Sequence, residues 1–290
     1  MKKKYINTYK LSYIKSKFNC INFFTKYINK KIYLLALLLI ISITPSYSQW
    51  QEIKSINIST DNLSLDEFGH IYYSDNNTLY KCNEDGTKLK SYSNSFLGEI
   101  NSYDVSDPLR LLLFFKDFNQ IVFLDNKLSE LRTPVSLDDL NLYEVVAVCA
   151  SHRGGFWAYS SGNNKLVRYN NSLQLEQENY IITNKNINLD SVNLIETSYF
   201  LILSLPPDGI FIYDGLGSFI KKIPSKNVNF IQSEKQKLYF AENDKIQIYD
   251  FKTAKFESFE LPITQINSFA IHKSKIFIAD NKLIRVFSKE

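Results

Sequence analysis

Three histidines, His70, His152 and His272, are the side chains of this 290-residue chain best suited to acid–base or metal chemistry. Each precedes the second strand of a repeated strand–turn–strand unit. A metal centre needs ligands converging to about 2 Å from one ion. These three lie in the first, third and sixth of six units and are expected to be spread around a ring as surface turn residues. No HExxH motif, EF-hand loop or paired CxxC accompanies them. Nucleophilic hydrolysis needs an exposed Ser with a base and a carboxylate in reach, and no G-x-S-x-G turn is present. Gly154-Gly155, in the segment HRGGF, resembles an anion-binding turn faintly, but no helix follows and a positive-φ turn explains the pair equally well. Asn101, Asp104 and Glu196 are candidates for facing a central axis, while the matching strands 145–150 and 228–231 offer few polar partners. We therefore expect no catalytic, cofactor-binding or metal-ligating residues.

The elements that would position these side chains recur with a fixed period. The copies are HIYYSDNNTLYKCN (70–83), LFFKDFNQIVFLD (113–125), FWAYSSGNNKLVRYN (156–170), LILSLPPDGIFIYD (201–214), LYFAENDKIQIYD (238–250) and IFIADNKLIRVF (276–287). Matching residues Tyr72, Phe114, Trp157, Ile202, Tyr239 and Phe277 lie 42, 43, 45, 37 and 38 residues apart. A period near forty with about four short strands per copy predicts an all-β chain forming a single β-propeller, with six blades the best count. Runs such as LLLFF (111–115) and FLILSL (200–205) are apolar on both faces and need covering on both sides, as stacked blades provide. Glycine is scarce, so Asn and Asp carry the turns at 75–77, 163–164, 208–209, 243–244 and 280–281. The third unit is expected to run 145–150, 156–159, 165–169 and 173–176, and the fifth 228–231, 237–241, 245–249 and 255–259. The sixth offers only 266–271, 276–279 and 283–287. The strand-like segment WQEIKSINIS (50–59) is expected to pair beside 283–287, complete that blade and close the ring.

Residues 1–48 stand apart. They hold nine lysines and no acidic residue, then an apolar run from Ile32 to Ile43 and a small-residue stretch ending at Ser48. That order describes a secretory signal peptide cleaved before Gln49, leaving 49–290 as the propeller domain. The run is short for a membrane span, which takes about twenty apolar residues, so the mature chain is expected to have none. The alternative is an uncleaved anchor in the inner membrane through residues 32–43. Without the leader, 34 − 9 = 25 basic residues face 30 acidic ones, a net charge of −5. This body has no electrostatic footprint for nucleic acid. Cys82 and Cys149 fall in different units and are expected to be separate buried thiols rather than a disulfide.

Binding surfaces are sought on the turns. Lys116, Asp117 and Phe118 link the second and third strands of one unit, and Pro206, Pro207 and Asp208 those of another. Phe118 at a turn tip would suit a partner-binding anchor, unless it folds back over its own blade, and Pro206-Pro207 would stiffen its loop. The connections 93–100 and 183–191 should widen the same face.

The first unit, Leu63 to Ser93, resembles the blades of six-bladed NHL-like propellers through Asp66, Gly69, Ile71, Tyr72, Asp75, Leu79 and Asp85-Gly86. Later units keep the hairpin and lose the glycines. The stretch 104–131, with a leader ending before Gln, also looks like small exported propeller proteins of the Bacteroidota. Some proteins of that group associate with outer-membrane machinery, including the secretion translocon. With no catalytic motif found, an exported, non-catalytic interaction module is the expected function, and an envelope or outer-membrane protein is its expected partner, although no position in this sequence carries that role over from the resemblance. No sorting domain follows the last unit, so the periplasm or the outer membrane is the expected place. Alternative readings are a propeller binding a small molecule or glycan, and a metal-dependent hydrolase or lyase.

Overall fold

The structure is a computed structural model describing residues 50–183, 186–242, 245–261, 263, 266–280 and 282–289. The expected signal peptide, and the expected turn residues Asn243, Asp244 and Asn281, lie outside the described residues.

Among the described residues, twenty-four strands form six four-stranded antiparallel sheets, each a blade whose strands run from innermost to outermost. The first blade comprises Leu63–Leu65, Ile71–Asp75, Thr78–Cys82 and Lys88–Ser93. The second comprises Ser102–Asp104, Leu111–Phe115, Gln120–Leu124 and Val135–Ser136. The third is Val145–Ala150, Phe156–Ser160, Lys165–Tyr169 and Leu175–Tyr180, and the fourth Asn193–Glu196, Phe200–Leu205, Gly209–Asp214 and Phe219–Ile223. The fifth runs Ile231–Glu234, Lys237–Glu242, Lys245–Asp250 and Lys255–Glu260. In the sixth, Ser268–His272, Lys275–Ala279 and Ile284–Lys289 are joined by Trp50–Ile56 as the outermost strand. The chain is thus an all-β, six-bladed propeller closed by its N-terminal strand.

Alternation explains the two-sided apolar runs. In LLLFF, Leu111, Leu113 and Phe115 pack with Tyr72 and Leu79 of the first blade, while Leu112 and Phe114 pack with Phe156 and Ala158 of the third. Successive side chains of a strand point to opposite faces, and here each face meets a different blade. The same division repeats at every boundary. Trp157 and Tyr159 meet Leu201 and Leu203, Ile202 and Ile212 meet Leu238 and Phe240, and Ala241 and Ile246 meet Phe269 and Ile278. Phe277 and Ile284 then meet Ile71 and Tyr73, so the sixth blade packs on the first. The outermost strands, such as LEQENY (175–180) and KFESFE (255–260), are largely exposed and correspondingly polar.

Closure uses Trp50 opposite Lys289 through Ile56 opposite Ile284, with a register shift between Glu52 and Lys54. Trp50 stacks on Phe259 of the fifth blade at 4.9 Å, and Glu52 pairs with Arg285 at 3.0 Å. Lys54 Nζ donates to the Glu84 carbonyl of the first blade. The closing strand therefore touches both neighbours of the blade it completes.

Several strand boundaries differ from the sequence reading, and two of the shifts have a plain local cause. The innermost strand of the fifth blade starts at Ile231, because Val228 is fully buried in the preceding connection rather than paired in the sheet. The outermost strand of the third starts at Leu175, because Asn170 Oδ1 accepts from the Ser172 and Gln174 amides and holds Leu173 in a left-handed turn. Cys82 and Cys149 are free and buried.

Candidate functional site

Because the strands of each blade alternate in direction, the turns between second and third strands emerge on the same face as the blade-to-blade connections. Lys116–Phe118 is one turn of 3-10 helix, ended by Asn119 in the left-handed region at φ 48°. Asn tolerates that conformation, and its amide closes the turn on the Lys116 carbonyl at 3.1 Å. Phe118 is 51% exposed. It leans over the preceding connection, where a Cβ on Gly98 would stand 3.1 Å from its ring. Lys116 Nζ reaches Asp190 Oδ1 at 3.1 Å.

Asp190 belongs to a second 3-10 turn, Leu189–Ser191, capped by the Asn188 side chain. The Asn188 amide donates to the Pro206 carbonyl at 2.8 Å. One connection therefore holds both sequence-selected loops on one face. Their residues divide by role. Lys116, Asp117, Phe118 and Pro207 are presented at the surface or line it, whereas Pro206 is buried. The Asp208 side chain is only 5% exposed and pairs with Lys222 at 2.7 Å. Pro206 and Asp208 thus build the loop, and the Pro206-Pro207 peptide is cis.

Beside Phe118 lies a depression of about 540 Å³. Asp117, Asp138 and Glu144 line it, with Lys116, Asn119 and Ser161, and Val145, Val146 and Leu189 supply its apolar share. Asn119 Nδ2 donates to Asp138 Oδ1 at 2.6 Å and to the Leu142 carbonyl at 2.7 Å, binding the turn to the next connection. The Glu144 carbonyl accepts from the Ser161 amide and hydroxyl. Asp138 and Glu144 were not legible in the sequence. Asp138 sits in a short 3-10 turn, Asp138–Leu140, and Glu144 takes a left-handed φ of 50°, which a Glu does not advertise.

On the opposite face, polar residues of the innermost strands join blades. Glu196 of the fourth blade accepts from Trp157 Nε1 at 2.9 Å and from the His152 amide at 2.5 Å, both of the third blade. Asp104 of the second accepts from the Ala150 amide at 2.9 Å. Gln232 and Glu234 of the fifth accept from the Ile271 and Lys273 amides. Asp104 and Glu196 therefore act as clasps, and Asn101 is exposed. The HRGGF turn is likewise occupied. Its Gly154 carbonyl accepts from Arg168 and its Gly155 carbonyl from Arg110, while the Gly155 amide donates to Asn171.

The histidines are less dispersed than the repeat order implies. Ring closure makes the first and sixth blades neighbours, and His272 Nε2 lies where a Cβ on Gly69 would be 3.2 Å away. Asp66, its carboxylate fully buried, holds His70 Nδ1 at 2.8 Å and accepts from Tyr72 Oη and the Phe68 and His70 amides. Burial, then the Asp66 charge, push the Tyr72 hydroxyl pKa well above its usual value. Among the described residues no group of three or more His, Cys, Asp or Glu side chains is arranged to hold a metal ion.

No protein-family model matches the chain. No curated protein matches it. Solved propellers do. A streptogramin B lyase aligns with TM-score 0.57 at 13% identity, over 85% of this chain and 100% of that one. The Pan2 WD40 domain of Neurospora crassa aligns with TM-score 0.58 at 9% identity, over 83% and 96%. Sqt1 of Saccharomyces cerevisiae gives TM-score 0.50 at 14% identity, over 77% and 68%. At such identities the likeness is one of fold.

Two outcomes follow from this geometry. Glu196→Ala leaves the buried Trp157 indole and the part-buried His152 amide unpaired and is expected to cost about 3 kcal/mol, with Glu196→Gln costing less. Urea unfolding followed by tryptophan fluorescence checks this, and equal midpoints for Glu196→Ala and the parent would refute the clasp. Burial first, then the Lys273 ammonium, hold the His272 pKa below 6.5. The unfolded chain then binds more protons as pH falls through 6.5, so this contribution is full above that value and is lost below it. His272→Asn should lose less stability than the parent between about pH 7.5 and about pH 5.5 in the same unfolding assay.

Proposed function

We propose that this chain is a non-catalytic interaction module of the cell envelope, exported by its basic–apolar leader and bound to an envelope or outer-membrane protein. The observation that carries this reading is Phe118. It is half exposed on a turn held by its left-handed Asn119 and by the Lys116–Asp190 pair. Rigid, partly exposed aromatics make strong anchors because little side-chain freedom is lost on binding. Leu189, 40% exposed, lines the depression beside this turn and extends the apolar surface. On the opposite face, Asp104, Gln232, Glu234 and Glu196 are engaged in joining blades, which leaves those acceptors little part in chemistry. The regular backbone of a propeller gives such a face a fixed shape, and that suits protein recognition.

A second reading, a small molecule or glycan, is favoured by one observation, the depression of about 540 Å³, which lies within the usual range of ligand pockets.

Affinity purification of a C-terminally tagged copy from gently solubilised envelopes tests the first reading. One stoichiometric partner is expected, with recovery reduced at least about tenfold by Phe118→Ala and largely kept by Phe118→Leu. A chain that purifies alone, or a partner indifferent to Phe118→Ala, would contradict it.

A further inference from the structure

We propose that a small pocket between the second and third blades binds a free organic acid, a carboxylate carried on a short apolar group. The pocket lies on the face opposite Phe118, so the proposal goes beyond the interaction reading and does not rest on it.

Turns between third and fourth strands emerge on that face. The first, third, fourth and fifth blades make this turn in four or five residues, whereas the second spends ten, 125–134, between Leu124 and Val135. Its first half copies the turn of the third blade. Asp125 Oδ1 accepts from the Lys127 and Ser129 amides as Asn170 Oδ1 does from those of Ser172 and Gln174. Leu128 and Leu173 are left-handed in both. The rest is an extension. The Leu131 amide donates to the Phe123 carbonyl at 2.9 Å, and Arg132 Nη1 reaches the Asn171 carbonyl of the third blade at 3.1 Å. This extension walls a pocket of about 160 Å³.

Charge and donors decide what fits. The lining residues include Arg110 and Arg132 and no acidic residue. Arg110 is part of the framework. Its guanidinium stands 5.7 Å from the centre of the Phe123 ring and donates to the Ser151 and Gly155 carbonyls and to Asn171 Oδ1, with Asp107 at 3.6 Å. Arg132 is exposed, donates to the Asn171 carbonyl and pairs with no carboxylate among the described residues. Glu176, beside Asn170, is engaged by Arg168. The acceptors of the lining are engaged too. Asn171 Oδ1 takes the Gly155 amide as well as Arg110, and Asn170 Oδ1 takes its two turn amides. What remains is donor capacity and positive charge, in a guanidinium fork that matches a carboxylate.

Apolar surface narrows the choice. Phe123, Leu131 and Leu173 line the same pocket, and Leu131 is half exposed. A bare phosphate or acetate would leave that surface unused. A peptide would bring backbone N–H groups that find few open acceptors. The volume is well below the roughly 300–1,000 Å³ usual for drug-sized ligands, so the occupant is smaller.

Ligand-detected NMR titration of the purified full chain with isocaproate, isocaproamide and acetate tests the proposal. Isocaproate is expected to bind at least about tenfold more tightly than either of the others, and less tightly as salt is raised. Arg132→Gln should weaken it at least about fivefold, with Arg132→Lys losing less, and Leu131→Ala should weaken it several-fold. Both side chains are exposed, so the parent's thermal midpoint in these variants shows that folding is intact. Phe118→Ala should leave isocaproate binding unchanged. No binding of isocaproate, equal binding of the amide, or indifference to Arg132→Gln would overturn the proposal. Tighter binding of acetyl-Gly-Gly-Leu with a free C-terminus would also overturn it, by making a chain end the occupant.

Discussion

Each blade of this propeller is a small sheet with two apolar faces, and neither face can be left in water. That constraint organises the molecule. Phe114 and Leu112 need the third blade as much as Leu111, Leu113 and Phe115 need the first. A row of such sheets would end in two uncovered faces, each exposing several large side chains whose burial stabilises by roughly 1.5–3 kcal/mol apiece. Bending the row into a ring removes both ends, and the packing of Phe277 and Ile284 on Ile71 and Tyr73 is where the ring meets itself. The strand Trp50–Ile56 secures the meeting by pairing with Ile284–Lys289. Closure is thus a consequence of two-sided apolarity, and the N-terminal strand is the lock on it.

Polar groups follow from the same geometry. Innermost strands of neighbouring blades come close together near the axis, where unpaired amides would be costly. Asp104, Glu196, Gln232 and Glu234 supply acceptors to amides or an indole of the adjacent blade. Carboxylates that might look like channel chemistry in a list of residues are spent on assembly. The turns of the opposite face are freer to vary, and there Asn119, Asp138 and Glu144 line a hollow next to the turn that carries the half-exposed Phe118. Division of labour between an assembling face and a presenting face is the physical basis for reading this chain as a binding module.

Much of the fold was legible because repetition is a strong signal. The six hairpins, their spacing and the missing fourth strand of the last unit together predict six blades and the closing strand. What sequence reasoning missed depended on contacts across blades. Val228 looks like strand residue by composition, yet it fills core space ahead of Ile231. His70 and His272 lie about two hundred positions apart in sequence, and only ring closure brings their turns together. Lys116, Asp117 and Phe118 were readable as turn residues between apolar strands. Asp138, Glu144 and Asp190 were not, since their place beside that turn comes from two later connections folding over the same face. Pro206, Pro207 and Asp208 are read from sequence as a candidate binding surface, whereas tertiary packing buries Pro206 and pairs Asp208 with Lys222.

The ring depends on closure by the strand Trp50–Ile56, and a cross-link tests that most directly. Gln51 stands opposite Ser288 in the pairing register. With Gln51→Cys and Ser288→Cys introduced together, mild oxidation should form an intramolecular disulfide, because opposed residues of antiparallel strands lie about 4.5–5.5 Å apart at Cα. Cys82 and Cys149 are buried and should stay reduced. Peptide mapping by mass spectrometry is predicted to find the 51–288 link in a monomer of unchanged size. Failure to form that link, or its appearance only between two molecules, would contradict a ring closed by residues 50–56.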